Sequence, residues 1–258
     1  MNGVLLILVT CLVLGGFPDY CVNVLNAQDS GEPSRGVDRV IAPEVKAKVK
    51  GAGILWERLN SDLLRLTKAG DYDRALSVAK EALELAEQTA GKKHPDVAVA
   101  LNNLARVHSK KEEYDKAVPY YKRALAIYEQ AQGRDHPNVA GSLNNLAVVY
   151  SRLDKAELAL PLYTRALSLY EKELGRDHPH VASALNNLAV VYDGKGDFAK
   201  AEPLYLRALN IKEKTLGKNH PGLVSTMNNL ASLYEQTGRK DKALEMQLRA
   251  LQIEQASQ

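Results

Sequence analysis

Four histidines, each followed by a proline, recur at a spacing of 42 residues, and imidazole is a common metal ligand and proton carrier. They are His94, His136, His178 and His220. Zinc ligands must meet around one ion at about 2 Å. Histidines that occur once per 42-residue unit lie about 10 Å apart on stacked helices and cannot converge on one ion. We therefore predict that they are loop and helix-capping residues and that the chain binds no metal.

Other catalytic chemistry finds little support in the sequence. There is no G-x-S-x-G, P-loop, G-x-G-x-x-G or H-E-x-x-H motif. The two cysteines, Cys11 and Cys21, both precede Ala27, and the pair Glu112-Glu113 falls in a polar turn. The net charge is only +3, from 34 basic and 31 acidic residues, which is too small to indicate nucleic-acid binding. We predict a non-enzymatic protein without a cofactor.

The same 42-residue spacing organises the rest of the chain. Asn-Asn pairs begin at 102, 144, 186 and 228, and Arg-Ala-Leu begins at 123, 165, 207 and 249. Within each unit, apolar residues follow the helical pattern i, i+3, i+4, i+7 twice, with a short polar turn between. Each unit is therefore predicted to be a helix–turn–helix hairpin.

Glycine and proline mark the ends of the predicted helices. Gly175 follows a second helix, and Pro137 opens a first helix, where the missing N–H costs little. We expect the recurrent Pro119, Pro161 and Pro203 to lie in the first turn of the second helices. The 12 tyrosines, against two Phe and one Trp, fall mostly at fixed repeat positions, which predicts packing residues.

The motifs HPxVAxxLNNLAxxY and YxRALxI/LxE, at this period, resemble the tetratricopeptide repeat, in the longer variant found in kinesin light chains and many exported bacterial proteins. The resemblance implies an all-α, right-handed superhelical solenoid of five helix-turn-helix repeats. The repeats would be 52–93, 94–135, 136–177, 178–219 and 220–258. It also implies that the first helices line a concave groove that binds a peptide segment.

The two terminal repeats depart from the pattern, as capping repeats do. The first has Ser61 for the second Asn and Asp62 for a core Leu. The last has Gln247 for a recurrent Tyr. No further helix follows it, so we expect partial exposure at three leucines, with end-to-end self-association as one consequence. They are Leu244, Leu248 and Leu251.

In the family, the second Asn of each pair faces the groove. Carried over, the peptide-binding residues are Asn103, Asn145, Asn187 and Asn229. A carboxamide offers donors and acceptors, so a row of them can bind a peptide backbone without demanding one sequence. The alternative is that the Asn pairs link neighbouring helices and are scaffold.

Basic residues follow on the same helix face. They are Arg106 one turn further, and Lys68, Lys110 and Arg152 another turn along. Cations on one face favour an acidic peptide or a chain carboxylate. The alternative is an ordinary solvated face.

The first residues indicate export. Val4 to Leu14 is nearly all apolar but too short to span a bilayer, which suits a secretory signal peptide. We predict a signal peptide or membrane anchor over 1–27, a flexible linker over 28–51 and the repeat domain over 52–258. The expected location is secreted or periplasmic, and any membrane contact would be through an uncleaved leader.

Three functions stay open at this stage. The first is a protein–protein interaction scaffold that binds a peptide, with no nucleic acid as partner. The second is a kinesin-light-chain-like motor adaptor, although residues 28–50 show no heptads. The third is a regulatory or assembly subunit that partners a separate enzyme.

Overall fold

The computed structural model describes the backbone of residues 43–256 and the side chains of residues 53–256. Within that range it contains α-helices joined by short turns, and no strand, which confirms the all-α repeat fold. No helix in the described range is long and apolar enough to cross a membrane. The helices are α1 (Pro43–Lys68), α2 (Tyr72–Ala90), α3 (Pro95–Lys110), α4 (Tyr114–Gln132), α5 (Pro137–Arg152), α6 (Ala156–Leu174), α7 (Pro179–Gly194), α8 (Phe198–Leu216), α9 (Val224–Gln236) and α10 (Lys240–Ala256).

The chain divides into two compact units between Arg134 and Asp135. In the N-terminal unit, each of the helices α1 to α4 packs against the next. In the C-terminal unit, the helices α5 to α10 do the same. Odd-numbered helices are the first helices of the repeats and even-numbered helices are the second. Each repeat therefore packs through its second helix on the first helix of the following repeat in its unit.

The His-Pro pairs begin the first helices, as expected. The Nδ1 atom of His94 accepts a hydrogen bond from the backbone N–H of Asp96, and His136, His178 and His220 make the same bond two residues on. This bond satisfies one of the backbone donors that a helix leaves free at its start. The histidines are therefore N-caps.

In the fourth and fifth repeats a hydrogen-bonded residue pair joins the two helices of the hairpin near their turn. Tyr205 donates from its hydroxyl to Asp193 Oδ2 at 3.3 Å. In the last repeat the pair is Gln247 and Glu235, at 2.6 Å. The equivalent Tyr121 and Tyr163 are buried, and burial raises the pKa of Tyr163 to about 12. The tyrosines are packing residues, as expected, and most have a polar neighbour at the hydroxyl.

The start of α1 and the prolines of the second helices differ from the expectation. Helix α1 begins at Pro43, so it extends into the stretch 28–51 that we predicted as a linker. Proline suits the first position of a helix, and the residues up to Lys50 include Glu, Lys and Ala, which favour helix. The prolines of the second helices lie one turn later than expected. Pro119 is the sixth residue of α4, so the Asp115 carbonyl has no i+4 N–H donor.

The ends of the repeat domain differ in character. In α1, Asp62 replaces a core leucine and pairs with Arg65 at 3.0 Å and with Arg58 at 3.9 Å. In α10, Leu244, Leu248 and Leu251 are about half exposed, as predicted. The first end therefore carries ion pairs beside the exposed Ile54 and Leu64, and the last end exposes three leucines. The leader, residues 1–27, and most of the predicted linker lie outside the described residues.

Candidate peptide-binding surface

The Asn pairs lie on the first helices and link consecutive repeats. In the N-terminal unit, Asn103 Nδ2 donates to Asn60 Oδ1 at 3.2 Å. In the C-terminal unit, Asn187 Nδ2 donates to Asn144 Oδ1 at 3.2 Å, and Asn229 Nδ2 donates to Asn186 Oδ1 at 3.4 Å. The second Asn of one repeat thus bonds to the first position of the pair in the preceding repeat.

These bonds fix which atoms each carboxamide can offer to a ligand. The second Asn uses one N–H in the link and retains its carbonyl oxygen and its other N–H. The first Asn accepts at Oδ1, and the amino group of Asn60 also donates to the Trp56 carbonyl at 3.0 Å. Asn145 is the first such residue of the C-terminal unit, so no repeat precedes it within that unit. The Asn side chains therefore have a scaffold role, and their half-buried positions still leave them polar groups for a ligand.

A second set of links, between the second helices, was not predicted from the sequence. Arg123 pairs with Glu87, Arg207 with Glu171 and Arg249 with Glu213, at 2.5–2.6 Å. In each case the arginine of the Arg-Ala-Leu motif reaches a glutamate that lies 36 residues earlier. The recurrence of both residues at this separation was a signal available in the sequence. These arginines are committed to the scaffold.

The four predicted basic residues are exposed. Lys68, Lys110 and Arg152 are the last residues of α1, α3 and α5, and Arg106 lies one turn before the end of α3. Within residues 53–256 none of them forms an ion pair. A cation at the C-terminal end of a helix interacts favourably with the helix dipole. Their placement thus serves the helices and also leaves their charge open to a ligand.

The equivalent positions of the later repeats are not basic. Gly194 and Gln236 stand where the earlier first helices end in Lys or Arg, and Val190 stands where α3 has Arg106. The side chain of Val190 is 44% exposed. The surface that carries the Asn residues is therefore basic in the N-terminal unit and largely neutral on α7 and α9.

Lys212 departs from the pattern of its own position. It stands on α8 where α4 and α6 have Tyr128 and Tyr170, and it is half buried. Its Nζ atom donates to the carbonyl of Gly222 at 3.0 Å and to Thr226 Oγ1 at 2.8 Å. Burial lowers the pKa of Lys212. Sequence reasoning missed this residue, although a lysine at a tyrosine position was visible in the repeat.

The described residues contain no cluster of three or more His, Cys, Asp or Glu that could hold a metal ion. The surface therefore consists of carboxamides, exposed cations and a few exposed apolar side chains. Such groups bind polar ligands by hydrogen bonds and charge.

Comparison with known proteins identifies the class of protein. The tetratricopeptide repeat family model matches residues 66–130, 110–172, 138–214 and 194–256. This chain belongs to the tetratricopeptide repeat family and is of the kinesin-light-chain-like type. Members of this fold are typically non-catalytic scaffolds for protein–protein interaction. No curated protein matches the chain.

Solved structures show the same fold. BtubC (BKLC) from P. vanneervenii is 32% identical, with a TM-score of 0.70, and the match covers 80% of this chain and 82% of that chain. A putative kinesin light chain with nearly identical repeats from Podosopora anserina is 22% identical, with a TM-score of 0.65. That match covers 78% of this chain and 96% of the other. MamA from Desulfovibrio magneticus RS-1 is 16% identical, with a TM-score of 0.55, over 78% of this chain and 96% of that one.

Proposed function

We propose that this protein is a non-enzymatic scaffold that binds a peptide segment along the first helices of its repeats. The row of linked carboxamides carries the proposal. Each link holds a second Asn in one orientation, so its carbonyl oxygen and remaining N–H face a ligand in a fixed geometry. Preorganised donors and acceptors bind a peptide backbone with a smaller entropic penalty.

The exposed cations favour an acidic ligand at the N-terminal unit. Lys68, Arg106 and Lys110 have no carboxylate partner among residues 53–134, so a ligand carboxylate could pair with them without displacing an ion pair of that range. In the C-terminal unit Arg152 offers the same on α5. An acidic peptide, or a chain carboxylate, is the ligand class that these groups would recognise.

The experiment is a peptide-library binding screen with paired variants. Asn187→Ala removes the proposed ligand contact and also the link to α5. Asn144→Ala is compared with it, because it breaks the same link from the accepting side and keeps the Asn187 side chain. We expect Asn187→Ala to weaken binding more than Asn144→Ala does. Equal losses, in step with equal losses of stability, would assign Asn187 to the scaffold alone.

The acidic preference has a separate test. Glu-containing hits should lose affinity as salt is raised and should lose it again in Lys110→Gln, whereas Gln-substituted versions of the same peptides should not respond. Affinity that is independent of salt and of Lys110 would remove the basic residues from the site.

A motor-adaptor function is the second candidate, because the 42-residue repeats resemble those of kinesin light chains. Direct binding to a kinesin heavy-chain coiled coil, measured with the full chain, would distinguish it from peptide binding. Regulation or assembly of a separate enzyme is a third outcome, which affinity capture from the native compartment would reveal.

We also propose export, based on the apolar leader at residues 4–14. The N-terminal sequence of the native protein tests it, and an intact Met1 in a soluble cytosolic fraction would exclude it. Self-association through the exposed leucines of α10 is a further proposal. Mass measured over a range of concentrations should then show a dimer that Leu248→Glu abolishes.

A further inference from the structure

Lys212 is a half-buried ammonium without a carboxylate partner in the described part of the chain. Both acceptors of its Nζ atom, the Gly222 carbonyl and Thr226 Oγ1, are neutral. Burying a charge without a counter-charge is costly. The half-buried arginines nearby differ in this respect, because Arg207 and Arg249 each pair with a glutamate. The position therefore tolerates a cation that the scaffold pattern does not require.

The hydrogen bonds continue from Lys212 to the surface that carries the Asn residues. Thr226 is fully buried, accepts from Lys212 and donates its hydroxyl hydrogen to Asn186 Oδ1 at 3.1 Å. The same Oδ1 atom accepts from Asn229 Nδ2. Lys212 on α8, Thr226 on α9 and Asn186 on α7 are thus joined by successive hydrogen bonds, the first of which the Lys212 ammonium donates.

These hydrogen bonds fix the orientation of the Asn186 carboxamide. Two donors meet its Oδ1 atom, so a flipped carboxamide would set an amino group against a hydroxyl and another amino group. The amino group of Asn186 must then point away from the network. Donation into the carbonyl also polarises the carboxamide and makes its N–H groups stronger donors.

We propose that Lys212 is a positioning residue for the peptide-binding surface. Acting through Thr226, it holds Asn186 so that its amino group faces the ligand, and it makes this step of the surface select an oxygen acceptor, a carbonyl or a carboxylate. The inference rests on the proposed function only for the peptide that Asn186 would contact. The positioning itself is a property of the free protein.

No other described repeat has a basic residue at this position, which Glu254 occupies in the last repeat. Ala86 occupies it on α2, while Tyr128 on α4 hydrogen-bonds to Asn102. Tyr170 on α6 stacks on His180 with 5.3 Å between ring centroids. The repeat thus supplies its own reference residue, and Lys212→Tyr restores it.

The first experiment uses the full chain without ligand. The side-chain amide NMR signals of Asn186 and Asn229 are followed as pH is raised through the titration of Lys212. We expect them to shift with the same midpoint as the Lys212 Nζ signal, and to lose that response in Lys212→Met and in Thr226→Val. Signals of Asn60 and Asn103, whose junction has Ala86 at the position of Lys212, should not respond.

Controls separate the lysine from its surroundings. His220 accepts from Gly222 N–H in the same loop, and His220→Asn keeps a capping side chain while removing the imidazole. The alkaline response should persist in this variant. Far-UV circular dichroism establishes that each variant is folded. If the Asn186 signals in folded Thr226→Val match those of the wild type, the positioning role is refuted.

The second experiment measures affinity for the strongest peptide from the library screen. We expect Lys212→Met and Thr226→Val to weaken binding about three- to tenfold, the value of one well-placed hydrogen bond. Replacing the peptide group opposite Asn186 by one without an oxygen acceptor should remove the difference between wild type and variant. Undiminished affinity in both variants would refute the selection of an acceptor.

The two experiments fail in distinguishable ways. If no peptide binds the wild type, the proposed function fails while the NMR result still decides the role of Lys212. If peptides bind and the Asn186 signals ignore Lys212, the scaffold function stands and the positioning role falls.

Discussion

The junction between the first two repeats and the junction between the last two have the same links between helices. They differ in the residues that are packed at the junction. In both, an Asn–Asn bond joins the first helices and an Arg–Glu pair joins the second helices. Ala86 and Ala100 are buried at the first junction. Lys212 and Thr226 stand at the equivalent positions of the last junction and are hydrogen-bonded to each other.

The difference separates two ways of filling a repeat junction. Small apolar residues need no partner and are stabilised by close packing. A lysine and a threonine there must have their polar groups satisfied, and the hydrogen bonds that satisfy them extend to Asn186. The Asn–Asn and Arg–Glu links are common to both junctions, and the packed residues distinguish one repeat of the surface from another. Four changes test how far the two junctions are equivalent.

The largest effect is expected from the shared core. Leu104 and Leu230 occupy the same repeat position in the two units and are fully buried. Replacing either by alanine removes buried methyl groups and leaves a cavity, which costs about 2–5 kcal/mol. Urea denaturation followed by circular dichroism measures the loss. Leu64→Ala, at a 64% exposed site, is the control and should cost far less. A loss at only one of the two leucines would show that the junctions are not equivalent in packing.

The repeat fold was accessible from the sequence, because three motifs in one register and two amphipathic helices per unit admit few alternatives. The capping role of the histidines and the exposure of the α10 leucines followed from the same reasoning. The lysine network did not. Lys212 on α8 contacts Thr226 on the adjacent α9, and only the packed structure shows that its hydrogen-bond acceptors are neutral. The start of α1 was missed because the stretch before Gly51 has helix-forming residues without an amphipathic pattern.

The caps should give the next largest effect, and a larger one at the N-terminal unit. His94 is 3% exposed and caps α3, whereas His220 is exposed and caps a 3₁₀ turn over Pro221–Leu223. His94→Ala should lower the free energy of unfolding by about 1–2 kcal/mol, and His220→Ala by less. Thermal and urea unfolding measure both. Asn at either position retains a capping oxygen and should recover most of the loss. Failure of His94→Asn to do so would mean that packing, and not capping, is what His94 provides.

The Arg–Glu pairs should contribute less to the free energy of unfolding than the caps do. Their contributions at the two junctions should be equal. The Arg123 and Arg249 side chains are 40% and 33% exposed, so solvent screens each pair. Double-mutant cycles with Arg→Met and Glu→Gln should give coupling free energies of about 0.2–1 kcal/mol at each junction. High salt should reduce both couplings. Clearly unequal couplings would mean that the Lys212 network also alters the Arg–Glu link at its junction.

The smallest effect concerns Asp193, which replaces the serine found at the same position in α3 and α5. Burial raises the pKa of its carboxyl above 3.8, and the hydrogen bond from Tyr205 opposes that shift. Between pH 3.8 and the raised value, the folded state binds more protons than the unfolded state, so stability falls as pH rises through this window. Asp193→Ser should therefore stabilise the protein at neutral pH, by less than about 1 kcal/mol.

The advantage of Asp193→Ser should shrink as pH falls and vanish once Asp193 is protonated in both states. Asp197 provides a control of opposite sign, because its hydrogen bond to Lys200 lowers the pKa of Asp197. Its contribution is present above the unfolded-state pKa and is lost as pH falls through the lower folded-state value, so Asp197→Asn should destabilise at neutral pH. Unfolding free energies across acid pH measure both. If Asp193→Ser and Asp197→Asn change stability in the same direction at neutral pH, Asp193 is not held at an energetic cost, and the hairpin of the fourth repeat is as relaxed as those with serine.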